Sequence, residues 1–185
     1  MLGNHDWSFM DHYYKIHVND SGKDDFWCKE YFDEYYPRYK KYAQNGNLNC
    51  QAVYLPELIY AGFDTGNDKF DKEQYEFLLQ LTKKGLPIIV FCHTPFYCKT
   101  LHQPMVEVWG EATAESQVIN GKRNPMDEYT EKFYKLMLKP ESNVVAVVAG
   151  HIHQEHDDLI EDKLPQYVAD GAYKGIARLY TVKGE

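Results

Sequence analysis

The chain has no apolar run approaching the roughly 20 residues that span a bilayer as a helix, and Met1 onward lacks the charged and apolar regions of a secretory leader. A basic stripe is missing too. Its 20 Lys and Arg are scattered among 28 Asp and Glu, for a net charge of −8. That balance disfavours nucleic-acid binding through phosphate neutralisation, although a nuclease whose metals handle the phosphates escapes the argument. Cysteine is sparse: Cys28, Cys50, Cys92 and Cys98 have neither metal-finger spacing nor a dense framework, which predicts mostly free thiols. No internal repeat, low-complexity tract or inter-domain linker interrupts the sequence.

What is present favours folding. The 185 residues suffice for one domain, and a domain of this size buries roughly two thirds of its unfolded surface. Hydrophobic residues at 44% and aromatics at 15%, with sixteen tyrosines, argue against disorder. The expectation is a single domain over residues 1–185.

Local patterns place the elements. Between Asp24 and Tyr42, Trp27, Tyr31, Tyr35 and Tyr39 recur at a spacing of four, which suits one helix face, with Pro37 kinking or splitting it. Gln51 to Leu55 and Glu57 to Phe63 read as two strands broken by Pro56 and closed by Asp64 and Gly66. Asp71 as N-cap with Gln74 three residues on predicts a capping box, and Lys83, Lys84 and Gly85 mark that helix's exit. PIIVFC then reads as a strand covered on both faces, followed at once by His93. Asn124 and Pro125 are expected to start a helix running to about Lys139, and VVAVVAG forms a second buried strand, followed at once by His151. From Phe96 to Arg123 periodicity is weak, which suits either a loop roofing a site or a surface excursion. The end, PQYVADGAYKGIARLYTVKG, reads as two strands around Gly171 to Gly175.

Three short stretches carry chemistry: GNHD at Gly3 to Asp6, FCHTP at Phe91 to Pro95 and GHIH at Gly150 to His153. Each sets metal-capable side chains after a strand or at a glycine turn, where a rigid scaffold can aim them. His93 alone reads more readily as a structural histidine. In GHIH, alternation along an extended segment would send His151 and His153 to the same side, toward one metal or two adjacent ones. His12, His17, His102 and His156 belong to no such motif and read as surface or structural residues, and turn chemistry accounts for Asp64.

In this order and spacing, the three motifs resemble the last three of the five that mark the calcineurin-like metallophosphoesterase superfamily. The first two, Asp-X-His and Gly-Asp-X-X-Asp, do not occur in the chain, so the resemblance implies a domain incomplete at its N-terminus. It implies an α/β fold, a four-layer α-β-β-α sandwich of two mixed sheets, and an unpaired sheet edge would favour self-association. By resemblance, Asn4, His93 and His151 are ligands of the second metal, His153 is a ligand of the first, and His5 lies beside the phosphoryl group as the catalytic residue.

The implied activity is metal-dependent hydrolysis of phosphomonoesters or phosphodiesters. Two divalent ions about 4 Å apart clamp the ester's oxygens and activate a water. The mixed oxygen and imidazole ligands suit Mn²⁺, Fe or Zn²⁺. Three of four ligands for the second metal but only His153 for the first predict at most one well-held ion and impaired turnover by this chain. The alternative is a non-catalytic scaffold of the same fold, acting as a binding module.

Overall fold

A computed structural model of the protein describes residues 47–66 and 68–183, with Pro37 and Lys41. The aromatic helix expected between Asp24 and Tyr42 therefore falls almost wholly outside the described residues, as do Asn4, His5, His12, His17 and Cys28.

Alternation builds the sheet. In Ile59–Phe63 (β2) the side chains of Ile59, Ala61 and Phe63 are fully buried on one face, while Tyr60 points to the other, the period-two pattern of a strand with unlike faces. Cys50–Tyr54 (β1) pairs with β2 antiparallel, so both strands expected around Pro56 are present and joined as a hairpin. Ile88–Phe91 (β3) and Val144–Ala149 (β4) are the two expected buried strands, each parallel to its neighbour. His156–Ile160 (β5) and Leu164–Val168 (β6) complete one mixed six-stranded sheet in the order β1-β2-β3-β4-β6-β5. Strands β2, β3, β4 and β6 run parallel, so their carboxyl ends share one edge.

Two helices close one face. Lys72–Thr82 (α1) starts on the expected capping box: Asp71 accepts from the Gln74 amide, and the Gln74 side chain accepts from the Asp71 amide, both at 2.9 Å. Lys83 follows the last helical residue, and Gly85 turns the chain at φ 71°, a left-handed geometry glycine adopts without steric cost. Asp71→Ala is expected to remove about 1 kcal/mol of stability, read as a lower urea midpoint with unchanged m-value.

The second of these helices, Glu128–Met137 (α4), begins later than Asn124 and Pro125 suggested. Asp127 is its N-cap, accepting from the Thr130 amide, whereas Asn124 and the Pro125 carbonyl accept hydrogen bonds from Lys69. Between sheet and helices, Phe133 stacks on Phe70 with centroids 3.9 Å apart and meets Phe63 edge-on at 4.8 Å.

The segment from Phe96 to Arg123 is more ordered than its pattern suggested. Lys99–Trp109 (α2) and the short Glu111–Ala114 (α3) occupy it. Only Leu101 and Met105 of α2 are buried, and Pro104 lies inside it, so the apolar stripe is too short to register and the proline argued against a helix. Its N-cap residue, Cys98, makes no side-chain cap. Asp158 on β5 supplies one instead, accepting from the Thr100 amide and hydroxyl, with the His156 ring 2.9 Å from the same hydroxyl.

At the C-terminal end the structure differs from expectation at two strands. β5, with sequence HDDLI, carries no strand signal because two aspartates are poor strand formers. The strand expected after Gly175 is not formed: β6 already has β4 on one side and β5 on the other, so its hydrogen-bonding edges are taken. Residues 176–183 instead run irregularly beside the sheet's other face, with Arg178 paired to both carboxylate oxygens of Asp157 and donating to the Val168 carbonyl. That face carries Leu58, Ile89 and Ala146 with Tyr60, Val148 and Tyr167, and borders a trough of about 1120 Å³. Among the described residues, no helix is long and apolar enough to cross a membrane.

Candidate metal centre

The shared carboxyl edge of β2, β3, β4 and β6 is where an open parallel sheet presents ligand-binding groups, because the strand ends splay into loops there. Thr65 follows β2, His93 follows β3 and His151 follows β4. Residues far apart in the chain meet because their strands are neighbours in the sheet.

His93 and His151 come together. The His93 Nε2 and His151 Nδ1 atoms are 3.1 Å apart, with ring centroids at 4.9 Å and planes at 72°. Two imidazole nitrogens each about 2.0–2.1 Å from one ion stand roughly 2.8–3.4 Å apart for angles between octahedral and tetrahedral. The observed separation falls within that window, so the pair fits two ligands of one divalent cation.

Backbone contacts hold the two loops in register. The His93 amide donates to Thr65 Oγ1 at 2.9 Å, and the Gly150 amide donates to the His93 carbonyl at 3.0 Å. The Ile152 amide then donates to the Gly150 carbonyl at 2.8 Å across His151, whose φ is 68°. A two-residue hydrogen bond with positive central φ is the rarer, strained γ-turn. His153 also has positive φ, at 54°.

The extended alternation expected of GHIH is thus replaced by two left-handed residues flanking the buried Ile152. Strain of this kind persists where surrounding contacts over-determine it. Here the β3 and β4 ends and the buried Ile152 side chain do so.

His153 has different company. Its ring lies against Tyr173, 5.2 Å between centroids, and Trp109 at 6.2 Å, with the Tyr173 hydroxyl 3.4 Å from Nδ1. Lys174 donates to its carbonyl and also pairs with Asp170. Among the described residues, it joins no group of three close ligand atoms with His93 and His151.

A different grouping carries no signature in the sequence. His102 on α2 and Glu111 and Glu115 at α3 bring one ligand atom each within 4.8 Å of one another. The sharp turn at Gly110, φ 76°, folds α3 back toward His102. Within this group His102 lies 3.4 Å from Glu111, and Glu115 is 3.3 Å from Lys122.

Thr65, Asp68 and Thr94 were also overlooked. The Thr94 hydroxyl donates to Asp68 Oδ1 at 2.5 Å, and burial pushes the Asp68 carboxyl above its ordinary range against that bond's influence. Nothing in their spacing marks them, since they matter through cross-strand contacts. Asp64 makes the local turn expected of it, accepting from the Gly66 amide.

Among the described residues, the cysteines supply no nucleophile. Cys50, Cys92 and Cys98 are free, and burial, reinforced at Cys50 by Glu73 and Asp71 and at Cys98 by Asp158 and Glu161, pushes each thiol up to about 12. They remain protonated near neutral pH.

The family model described as calcineurin-like phosphoesterase matches residues 1–155. The chain belongs to the calcineurin-like phosphoesterase family. Within the matched region of this phosphoesterase-family chain lie GNHD, His93 and GHIH. No curated protein matches it.

Proposed function

We propose that the chain is a metal-dependent phosphoesterase whose His93 and His151 ligate one divalent cation together with Asn4. In this reading His153 serves the neighbouring metal position, and His5 steadies the leaving oxygen of the phosphoester. The observation that carries the reading is the 3.1 Å approach of two imidazole nitrogens supplied by separate strand ends. The donor set suits Mn²⁺, Fe or Zn²⁺. A divalent ion would supply charge neutralisation of the phosphoryl oxygens and acidification of water.

The chain's own residues do the remaining work. His93 and His151 hold their rings at a fixed mutual angle, so a cation meets a preformed pair of donors. His5, cationic or neutral, offsets charge growing on the departing oxygen, a contribution typically worth about 10² to 10⁴ in rate. At the finer level of fold, the apolar face of Leu58, Ile89 and Ala146 suits a second sheet packed about 10 Å away, completing a four-layer sandwich. The motifs present give ligands for one well-held ion, so turnover is expected to be slow.

The purified chain, loaded separately with Mn²⁺, Fe²⁺ and Zn²⁺, is tested on a chromogenic phosphomonoester and a phosphodiester. The expected result is a single retained ion and slow hydrolysis of at least one ester that stops on chelation. Hydrolysis indifferent to chelator would overturn the metal-dependent reading. A retained ion with no turnover of either ester would favour the binding scaffold.

A further inference from the structure

We infer that Thr65 is a positioning residue for the His93–His151 pair, acting through backbone rather than by touching a ligand. The inference rests on reading that pair as metal ligands and adds a residue to the same site. Thr65 is fully buried. Its hydroxyl oxygen accepts two hydrogen bonds, from the His93 amide at 2.9 Å and the Thr94 amide at 3.1 Å. Threonine in a turn ordinarily bonds its own segment a residue or two away. Here the acceptor belongs to the loop after β2 and the donors to the loop after β3, 28 and 29 positions on in sequence. The local turn is made by Asp64 instead.

The contact is one step of a continuous relay. Thr65 holds the His93 amide, the His93 carbonyl accepts from the Gly150 amide, and the Gly150 carbonyl accepts from the Ile152 amide around His151. His93 is therefore gripped on both sides of its Cα, by an acceptor on its amide and a donor on its carbonyl. With both peptide planes fixed, the direction in which the imidazole leaves the backbone is fixed too. The Thr94 hydroxyl closes the arrangement by donating to Asp68 Oδ1 at 2.5 Å, with the Thr65 carbonyl oxygen 3.3 Å from the same hydroxyl. Removing the Thr65 hydroxyl deprives two amides of their acceptor at a fully buried residue. Such amides reorient or the loop shifts to find water. Either movement carries His93 away from His151.

A matched comparison separates positioning from general destabilisation. Thr130 is equally buried and makes the same kind of contact, its hydroxyl accepting from the Phe70 amide and donating to the Phe70 carbonyl. Thr65→Val, Thr65→Ser and Thr130→Val are compared in the full chain by Co²⁺ titration, thermal melting, and the nuclear Overhauser effect between the His93 and His151 rings without metal. Thr65→Val is expected to weaken Co²⁺ binding about 10- to 100-fold, the range for lost supporting partners of metal ligands, and to erase the ring-to-ring effect. Thr65→Ser restores both. Thr130→Val lowers the melting temperature comparably but leaves both intact. Unchanged Co²⁺ affinity and ring contact in Thr65→Val, or equal losses in Thr130→Val, would overturn the inference. Should the unmutated chain bind no Co²⁺, the metal reading fails, while the metal-free ring contact still decides whether Thr65 positions the pair.

Discussion

His151→Ala is expected to weaken binding of Mn²⁺ or Zn²⁺ by more than about 100-fold, exceeding the 10- to 100-fold typical of losing a supporting partner. If His93 Nε2 and His151 Nδ1, 3.1 Å apart, close on one cation, each contributes a direct bond, and removing either leaves an incomplete set. His93→Ala should therefore cost about as much. The double variant should cost far less than the sum, because groups sharing one partner are not additive.

Calorimetric titration of the four proteins gives the coupling directly. His156→Ala is the internal control, since that ring meets Thr100 and Asp158 at the start of α2; its affinity should match the unmutated chain. Additive losses, or a His151→Ala chain that binds metal normally, would mean that the two rings merely hydrogen-bond to each other.

The second large effect concerns stability. Phe133→Ala is expected to cost about 3–5 kcal/mol, the range for deleting a buried aromatic. Phe133 is fully buried, stacked on Phe70 and edge-on to Phe63, and Phe70 in turn stacks on Phe96 at 5.8 Å. These rings join α4 to β2 and to the loop after β3, so little can collapse into the space left behind. Urea unfolding followed by tyrosine fluorescence measures the loss. A change below about 1 kcal/mol would mean that the cluster repacks freely, contrary to the density of protein interiors.

Much of the described fold was legible because its signals were local. The capping box at Asp71 and Gln74, the apolar runs of β3 and β4, and the glycine exit at Gly85 each depend on a few adjacent residues. What failed depended on partners elsewhere. α2 borrows its cap from Asp158 on β5, 58 positions away, and residues 176–183 cannot pair with β6 because β4 and β5 already flank it. The start of α4 was displaced for a similar reason, because Lys69 engages Asn124 and the Pro125 carbonyl.

The candidate site divides the same way. His93 and His151 were visible as histidines directly after buried strands, and their rings do meet. The geometry of GHIH was not visible, because left-handed residues at 151 and 153 carry no compositional mark when they are neither glycine nor asparagine. Thr65 was equally silent. A hydroxyl that matters by reaching an adjacent strand's loop looks, in the sequence, like any threonine.

The separations within the relay have a kinetic consequence. Thr65 and His93 lie 28 positions apart, and His93 and His151 lie 58 apart, so their encounter requires long loops to close first. A refolding chain with helices formed but strands unregistered offers a cation nothing better than scattered imidazoles. If the pair ligates a cation as proposed, ion capture becomes a late clock, ticking only once β2, β3 and β4 have docked side by side.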